Sequence, residues 1–152
     1  MKIRPLERSD YEQVLDLLIL FAEETGIGDL QYDSYNRDQG RRVLLRCERA
    51  GVSFVATDTQ GEIIGVLISM RVQDIWIPEV IRLREMAWYV KSEYRGTSIG
   101  ARLFFAYVNS AEKMLESGEI TGYTMTKLRS SDDFDYEKRG MRLIEATYLK
   151  EA

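Results

Sequence analysis

The sequence predicts a mixed α/β domain, on three observations. Apolar residues at helical spacing alternate with short runs rich in β-branched and aromatic residues, in the order β-α-α-β-β-β-α-β-α-β. The glycine-bearing turn Asp58-Thr59-Gln60-Gly61 separates two of the β-rich runs and marks a hairpin. The chain has 152 residues, 45% apolar and 30% charged, which suits one domain over 1–152 with a sizeable core.

Residues 1–6 read as a first strand, with Pro5 near its end where it is tolerated. Ser9-Asp10-Tyr11-Glu12 has the pattern of a capping box, Ser9 as N-cap and Glu12 reaching back. Tyr11, Val14, Leu15, Leu18 and Phe21 then recur at helical spacing, and Gly26 stops the helix. Residues 27–35 have no clean period and read as a loop. A second helix starts near Asp33 or Ser34 and runs to about Arg49, with Val43, Leu44 and Cys47 inward.

Residues 52–57 and 62–71 are the hairpin strands. Ile63-Ile64-Gly65-Val66-Leu67-Ile68 is nearly continuous apolar sequence, so the second strand is expected to be covered on both faces. Residues 73–79, with Trp76 and Pro78, are a connection, and 80–90 a fourth strand. A long helix over 98–116 has Ile99, Leu103, Tyr107, Ala111 and Leu115 inward, and Ser117-Gly118 closes it. Residues 120–127 read as a strand, 131–138 as a short helix and 141–149 as a last strand.

Composition removes several chemistries. With no histidine there is no Ser-His-Asp triad, no Cys-His pair and no histidine metal site. Proton transfer falls to carboxylates, tyrosine, lysine or water. The single cysteine, Cys47, forms no internal disulfide and reads as a packed residue, which suits a reducing cytoplasm. The net charge of −4 offers no basic field for nucleic acid. No apolar run is long enough to span a membrane, and no signal peptide is expected. No metal is expected either.

The most telling stretch follows the fourth strand: Val90-Lys91-Ser92-Glu93-Tyr94-Arg95-Gly96-Thr97-Ser98-Ile99-Gly100-Ala101. A strand, a glycine-bearing turn and a helix N-terminus together bind phosphate. The first-turn N–H groups have no partner within the helix, and its dipole is positive there. Gly96 and Gly100 allow close backbone approach. Arg95 adds a positive charge at the mouth, and Ser98 is a good N-cap type.

This segment resembles the pyrophosphate loop of the GNAT (Gcn5-related) N-acetyltransferases, whose pattern is Arg or Gln, two residues, Gly, one residue, then Gly or Ala. Ser98 stands where the family most often has Gly. Val90, Tyr94 and Leu103 also match. The resemblance covers essentially the whole chain. It implies a GNAT fold: a mostly antiparallel mixed sheet of six to seven strands, splayed between the fourth and fifth, flanked by about four helices. It further implies that acetyl-CoA lies in that gap as the acetyl donor. Its pantetheine arm would pair with the backbone of Trp88, Tyr89 and Val90, and its pyrophosphate with Arg95, Gly96, Thr97, Ser98, Ile99, Gly100 and Ala101. The amine of a small molecule or protein would attack the thioester directly, with the Val90 N–H polarising its carbonyl.

A second resemblance is Tyr136-Glu137-Lys138-Arg139-Gly140-Met141, which looks like the family's closing segment. It implies Tyr136 as proton donor to the leaving thiolate; Tyr136 also fits a packed aromatic. Met141 replaces the usual Phe, and Arg129 the usual Asn. The family's fourth-strand carboxylate falls on Met86 here. Glu85, one residue earlier, is the candidate base if a bulge re-aims it, and otherwise an ion-pair partner of Arg71, Arg82 or Arg84. Glu23 and Glu24 are weaker candidates. The family's acceptor pocket maps onto 26–35, with Asp29, Tyr32 and Tyr35, and onto Trp76. Oligomeric state, including a homodimer, is left open. The alternative function is a catalytically weak GNAT-fold module that acts by protein contact.

Overall fold

Among the described residues five strands form one sheet in chain order. β1 (Lys2–Pro5), β2 (Phe54–Thr57), β3 (Ile63–Gln73) and β4 (Ile81–Val90) pair antiparallel, and β5 (Gly122–Thr124) joins β4 in parallel. Among the described residues three α-helices flank the sheet: α1 (Tyr11–Thr25), α2 (Ser34–Arg49) and α3 (Ile99–Glu116). The computed structural model describes residues 1–25, 34–127, 134–148 and 150, without the side chains of Ser34 and Tyr35.

The helices cover both faces of the sheet. α1 and α2 set Val14, Leu15, Leu17, Leu44 and Cys47 against Val55, Val66, Ile68, Ala87 and Tyr89. On the other face α3 sets Leu103, Tyr107 and Ala111 against Ala56, Leu67, Leu83 and Val90. Every residue of β3 from Ile63 to Ser69 is buried, as its apolar run predicts. Each large aliphatic side chain so buried stabilises the fold by about 1.5–3 kcal/mol. Cys47 is a packed residue, and burial pushes its thiol up to about 11.

The inward stripe of α3 holds at Ile99, Leu103, Tyr107 and Ala111, but Leu115 is 39% exposed and Met114 takes its place at 8%. Steps of four residues overrun a 3.6-residue turn, and the drift has changed the inward residue by the last step. The N-terminal cap also differs from expectation. A 3-10 turn, Arg8–Asp10, precedes α1. Asp10, not Glu12, reaches back, accepting the Glu7 N–H at 2.8 Å. The Arg4 guanidinium holds Asp10 in place through two bonds of 2.6 and 2.7 Å. Glu12 instead accepts from Arg41 of α2 at 2.6 Å.

Among the described residues the strand and helix counts are lower than the six to seven strands and about four helices expected. Within 131–138 the described residues form only the start of a 3-10 turn, Glu137–Arg139. The run 141–148 is extended in composition but forms no ladder. Strand preference is realised through a neighbouring strand, and this run has none among the described residues. Leu143 and Tyr148 are accordingly 79% and 94% exposed. No helix among the described residues is long and apolar enough to cross a membrane.

Candidate active site

The site begins where the sheet splits. β4 pairs with β5 only at Arg82–Arg84, opposite Gly122–Thr124. β4 then continues to Val90 without a partner on that side among the described residues. The Tyr107 hydroxyl holds the strands together just before they part, 3.2 Å from the Leu83 C=O and 3.0 Å from the Thr124 C=O. The Lys91 N–H donates to the Ile64 C=O on the β3 side. Backbone groups alternate sides along a strand, so the N–H and C=O of Val90 and Trp88 face the gap.

Glu85 stands at the apex. Ile68 pairs with Ala87 but Ser69 pairs with Glu85, so Met86 is an extra residue on β4. This bulge changes the phase of the strand. Leu83, before it, packs with the α3 layer, whereas Ala87 and Tyr89, after it, pack with the α1–α2 layer. Glu85 therefore shares a face with Leu83 and Val90, and an unbroken strand would have opposed Glu85 and Val90. Its side chain is buried and makes no ion pair with Arg71, Arg82 or Arg84. It accepts the Thr126 N–H at 2.9 Å. Burial pushes the carboxyl up to about 7, against the opposing pull of that N–H.

The phosphate-type loop follows β4. A 3-10 turn, Ser92–Tyr94, leads to Arg95 and then to Gly96 at φ +75°, a conformation that favours glycine. Neither φ nor space demands glycine at position 100. A Cβ there would sit 3.8 Å from the Trp88 ring, which is ordinary contact. α3 starts at Ile99, and Ser98 makes no capping bond. Thr97 substitutes: its hydroxyl donates to the Tyr94 C=O at 2.7 Å and accepts the Ile99 N–H at 3.4 Å. The N–H groups of Gly100 and Ala101 belong to the first turn and have no intrahelical acceptor. The Arg95 side chain reaches back to β4 and α1. Its Nε donates to the Val90 C=O at 2.9 Å and its Nη2 pairs with Glu24.

Tyr136 lies at the start of the last 3-10 turn, half-buried. Its ring is 5.0 Å from that of Phe134, which in turn stands edge-on to Trp88 at 5.4 Å and tilted against Phe104 at 4.9 Å. Burial, with the Glu85 charge behind it, pushes the Tyr136 hydroxyl up to about 12. Its hydroxyl makes no hydrogen bond with the described residues.

The structure thus brings Glu85, Trp88, Val90, Gly100 and Tyr136 around one gap. Tyr89 faces the opposite layer, and its ring lies 5.7 Å from Phe21. Asp29 and Tyr32 lie outside the described residues, and of Tyr35 only the backbone, in the first turn of α2, is described. Trp76 lies just before β4, at the strand entrance where the acceptor pocket was expected. It is 85% exposed at the tip of the β3–β4 hairpin, the end of β4 remote from the loop. The ten residues of β4 separate the two by roughly 30 Å at strand rise. Sequence reading also missed Tyr107 as a clasp. A tyrosine in an otherwise apolar helix stripe needs a partner for its hydroxyl, and that was the available signal.

No protein-family profile and no curated protein sequence matches this chain. Solved structures do. A predicted acetyltransferase from Clostridium acetobutylicum, determined with acetyl-CoA, is 13% identical with a TM-score of 0.74, covering 98% of this chain and 95% of its own. A GCN5-related N-acetyltransferase from Ralstonia eutropha is 20% identical with a TM-score of 0.68, over 98% and 97%. Glucosamine-6-phosphate N-acetyltransferase from Arabidopsis thaliana is 19% identical with a TM-score of 0.66, over 99% and 97%. At these identities the likeness is one of fold.

Proposed function

We propose that this chain, which has the fold of the GNAT acetyltransferases, is an acetyl-CoA-dependent N-acetyltransferase acting on a primary amine of a small molecule or protein. The observation that carries this is the split between β4 and β5, which opens the Val90 N–H and the Trp88 backbone groups and leads into a helix start whose Gly100 and Ala101 N–H groups have no intrahelical acceptor. An extended thioester arm can pair with the first, much as an added strand does. A pyrophosphate suits the second, where N–H groups and the α3 dipole converge.

Each step needs a group, and the gap supplies one. The amine must be neutral, so its lone pair is free to attack the thioester carbon. Glu85, whose carboxyl titrates near neutrality, takes the proton, directly or through water. The carbonyl oxygen gains negative charge as the carbon becomes tetrahedral, and the Val90 N–H is the donor to it. Collapse breaks the carbon–sulfur bond, and Tyr136, which keeps its proton across the working pH range, protonates the thiolate. The nitrogen, which carries a surplus proton after attack, gives it up to re-protonate Tyr136, directly or through water, and the products are the amide and free CoA. Asp29, Tyr32 and Tyr35 are proposed for the acceptor.

One observation favours the second reading, a module working through protein contact. Ile75 and Trp76 are 84% and 85% exposed on a hairpin tip that Asp74 fixes by accepting the Trp76 and Ile77 N–H groups at 2.8 and 3.0 Å. Calorimetric titration with acetyl-CoA decides. The enzyme reading expects saturable binding, and then CoA release with one member of a panel of polyamines, aminoglycosides, aryl amines and peptide N-termini. No binding at millimolar acetyl-CoA would leave the contact module standing.

A further inference from the structure

We propose that Glu24 is a positioning residue for the phosphate-type loop, acting through Arg95 and Tyr89. The inference rests on the acetyl-CoA reading above. Glu24 lies one residue from the end of α1, and its two oxygens are used separately. Oε1 accepts from the Tyr89 hydroxyl at 2.7 Å, and Oε2 pairs with Arg95 Nη2. Arg95 uses another edge of the guanidinium, Nε, to bind the Val90 C=O at 2.9 Å. The face of the guanidinium lies over the Tyr89 ring, 5.2 Å from its centroid. Tyr89 is 5% exposed and pinned by β4 pairing and by Phe21.

One carboxylate therefore joins the end of α1, the end of β4 and the residue that opens the loop. Arg95 immediately precedes Gly96, where the backbone turns to φ +75°. With three sides of its guanidinium occupied, Arg95 sets the direction in which the chain enters that turn. The N–H groups of the following residues take their aim from it. The guanidinium charge is met by Glu24, so anion recognition falls to the backbone N–H groups.

The opposite role for Arg95, direct grip on phosphate, gives the opposite sign. Releasing Arg95 from Glu24 would then tighten CoA binding. A mere surface pair gives no sign at all: Glu24 and Arg95 side chains are 38% and 43% exposed, and such pairs add little to stability.

The test is calorimetric titration of the full chain with CoA, beside ligand-free melting, for wild type, Glu24→Gln, Tyr89→Phe, Arg95→Lys and the Glu24→Gln/Arg95→Lys double variant. Positioning predicts about tenfold weaker binding for Glu24→Gln and a smaller loss, about threefold, for Tyr89→Phe. Arg95→Lys keeps the charge but cannot hold both partners, so it should lose about as much as Glu24→Gln. The double variant should be no weaker than the weaker single, since both break one chain of contacts. Melting temperatures without ligand should stay together. Unchanged or tighter CoA binding by Glu24→Gln, or full affinity in Arg95→Lys, overturns the proposal while leaving the acetyl-CoA reading intact. A wild-type chain that takes no CoA overturns both.

Discussion

The Glu85 carboxylate accepts the Thr126 N–H at 2.9 Å across the point where β4 and β5 part, so one side chain both closes the sheet and opens the gap. Its titration follows from that position. The folded-state value, near 7, lies above the ordinary 4.5 because burial penalises the charge. Its contribution to stability is full below about 4.5 and is lost as pH rises through about 7. Glu85→Gln stays neutral throughout. Its melting temperature should therefore gain on wild type from about pH 5 to about pH 7 and level off above that. With a competent acceptor, the acidic limb of kcat/KM should vanish in the same variant. A parallel pair of melting curves would show that folding leaves the Glu85 carboxyl ionised throughout this range and would remove the near-neutral base.

Tyr136→Phe keeps the ring against Phe134 and removes only the hydroxyl. Turnover should fall about a hundredfold, the scale of a lost general acid, with CoA affinity nearly unchanged. Equal turnover would return Tyr136 to packing alone and proton donation to water.

The two loop glycines should differ. Gly96 has φ +75°, so Gly96→Ala should cost about 1 kcal/mol in denaturant melts and weaken CoA binding. Gly100→Ala meets only ordinary contact and should be tolerated in the melts. Gly100→Asp adds a negative charge beside the loop and should weaken CoA in titrations. Equal tolerance at both sites would contradict the backbone argument.

Asp10 anchors the first helix through Arg4. Burial pushes its carboxyl up, but the Arg4 guanidinium and the Glu7 N–H outweigh that and hold it below the usual range. Its stabilisation is present above the ordinary 3.8 and is lost as pH falls through the lower folded value. Asp10→Ala should cost about 2–3 kcal/mol at neutral pH, by chemical denaturation. Asp10→Asn should flatten the acid limb of stability.

What was legible in the sequence was local or periodic. The apolar run of β3, the stripe of α3 and the strand-turn-helix around Arg95 each follow from a few consecutive residues. Glu85 marks the boundary of that legibility. Its facing depends on where β4 steps past β3, a register between segments that alternation within one strand does not encode. Ser98 and Thr97 exchanged capping roles because either hydroxyl is a competent cap, and only the turn geometry chooses. Trp76 was placed by the family resemblance, and its exposure at the hairpin tip before β4 is a tertiary fact that no local pattern carries. The Glu24–Tyr89–Arg95 junction joins residues remote in sequence and has no local pattern at all.

A sheet that splits in its interior carries a hazard that most sheets keep at their rims. The Trp88 backbone groups and the Val90 N–H form a short template open to any extended chain, a neighbour's included, the Val90 C=O being already bound by Arg95. Trp88, Phe104 and Phe134 stand beside it and narrow the approach. A thioester arm seated there would finish the blocking. On this view the cosubstrate guards the protein against its own copies as well as feeding the reaction. Light scattering during slow heating should then show less association with CoA present than without it, at temperatures below the melting transition.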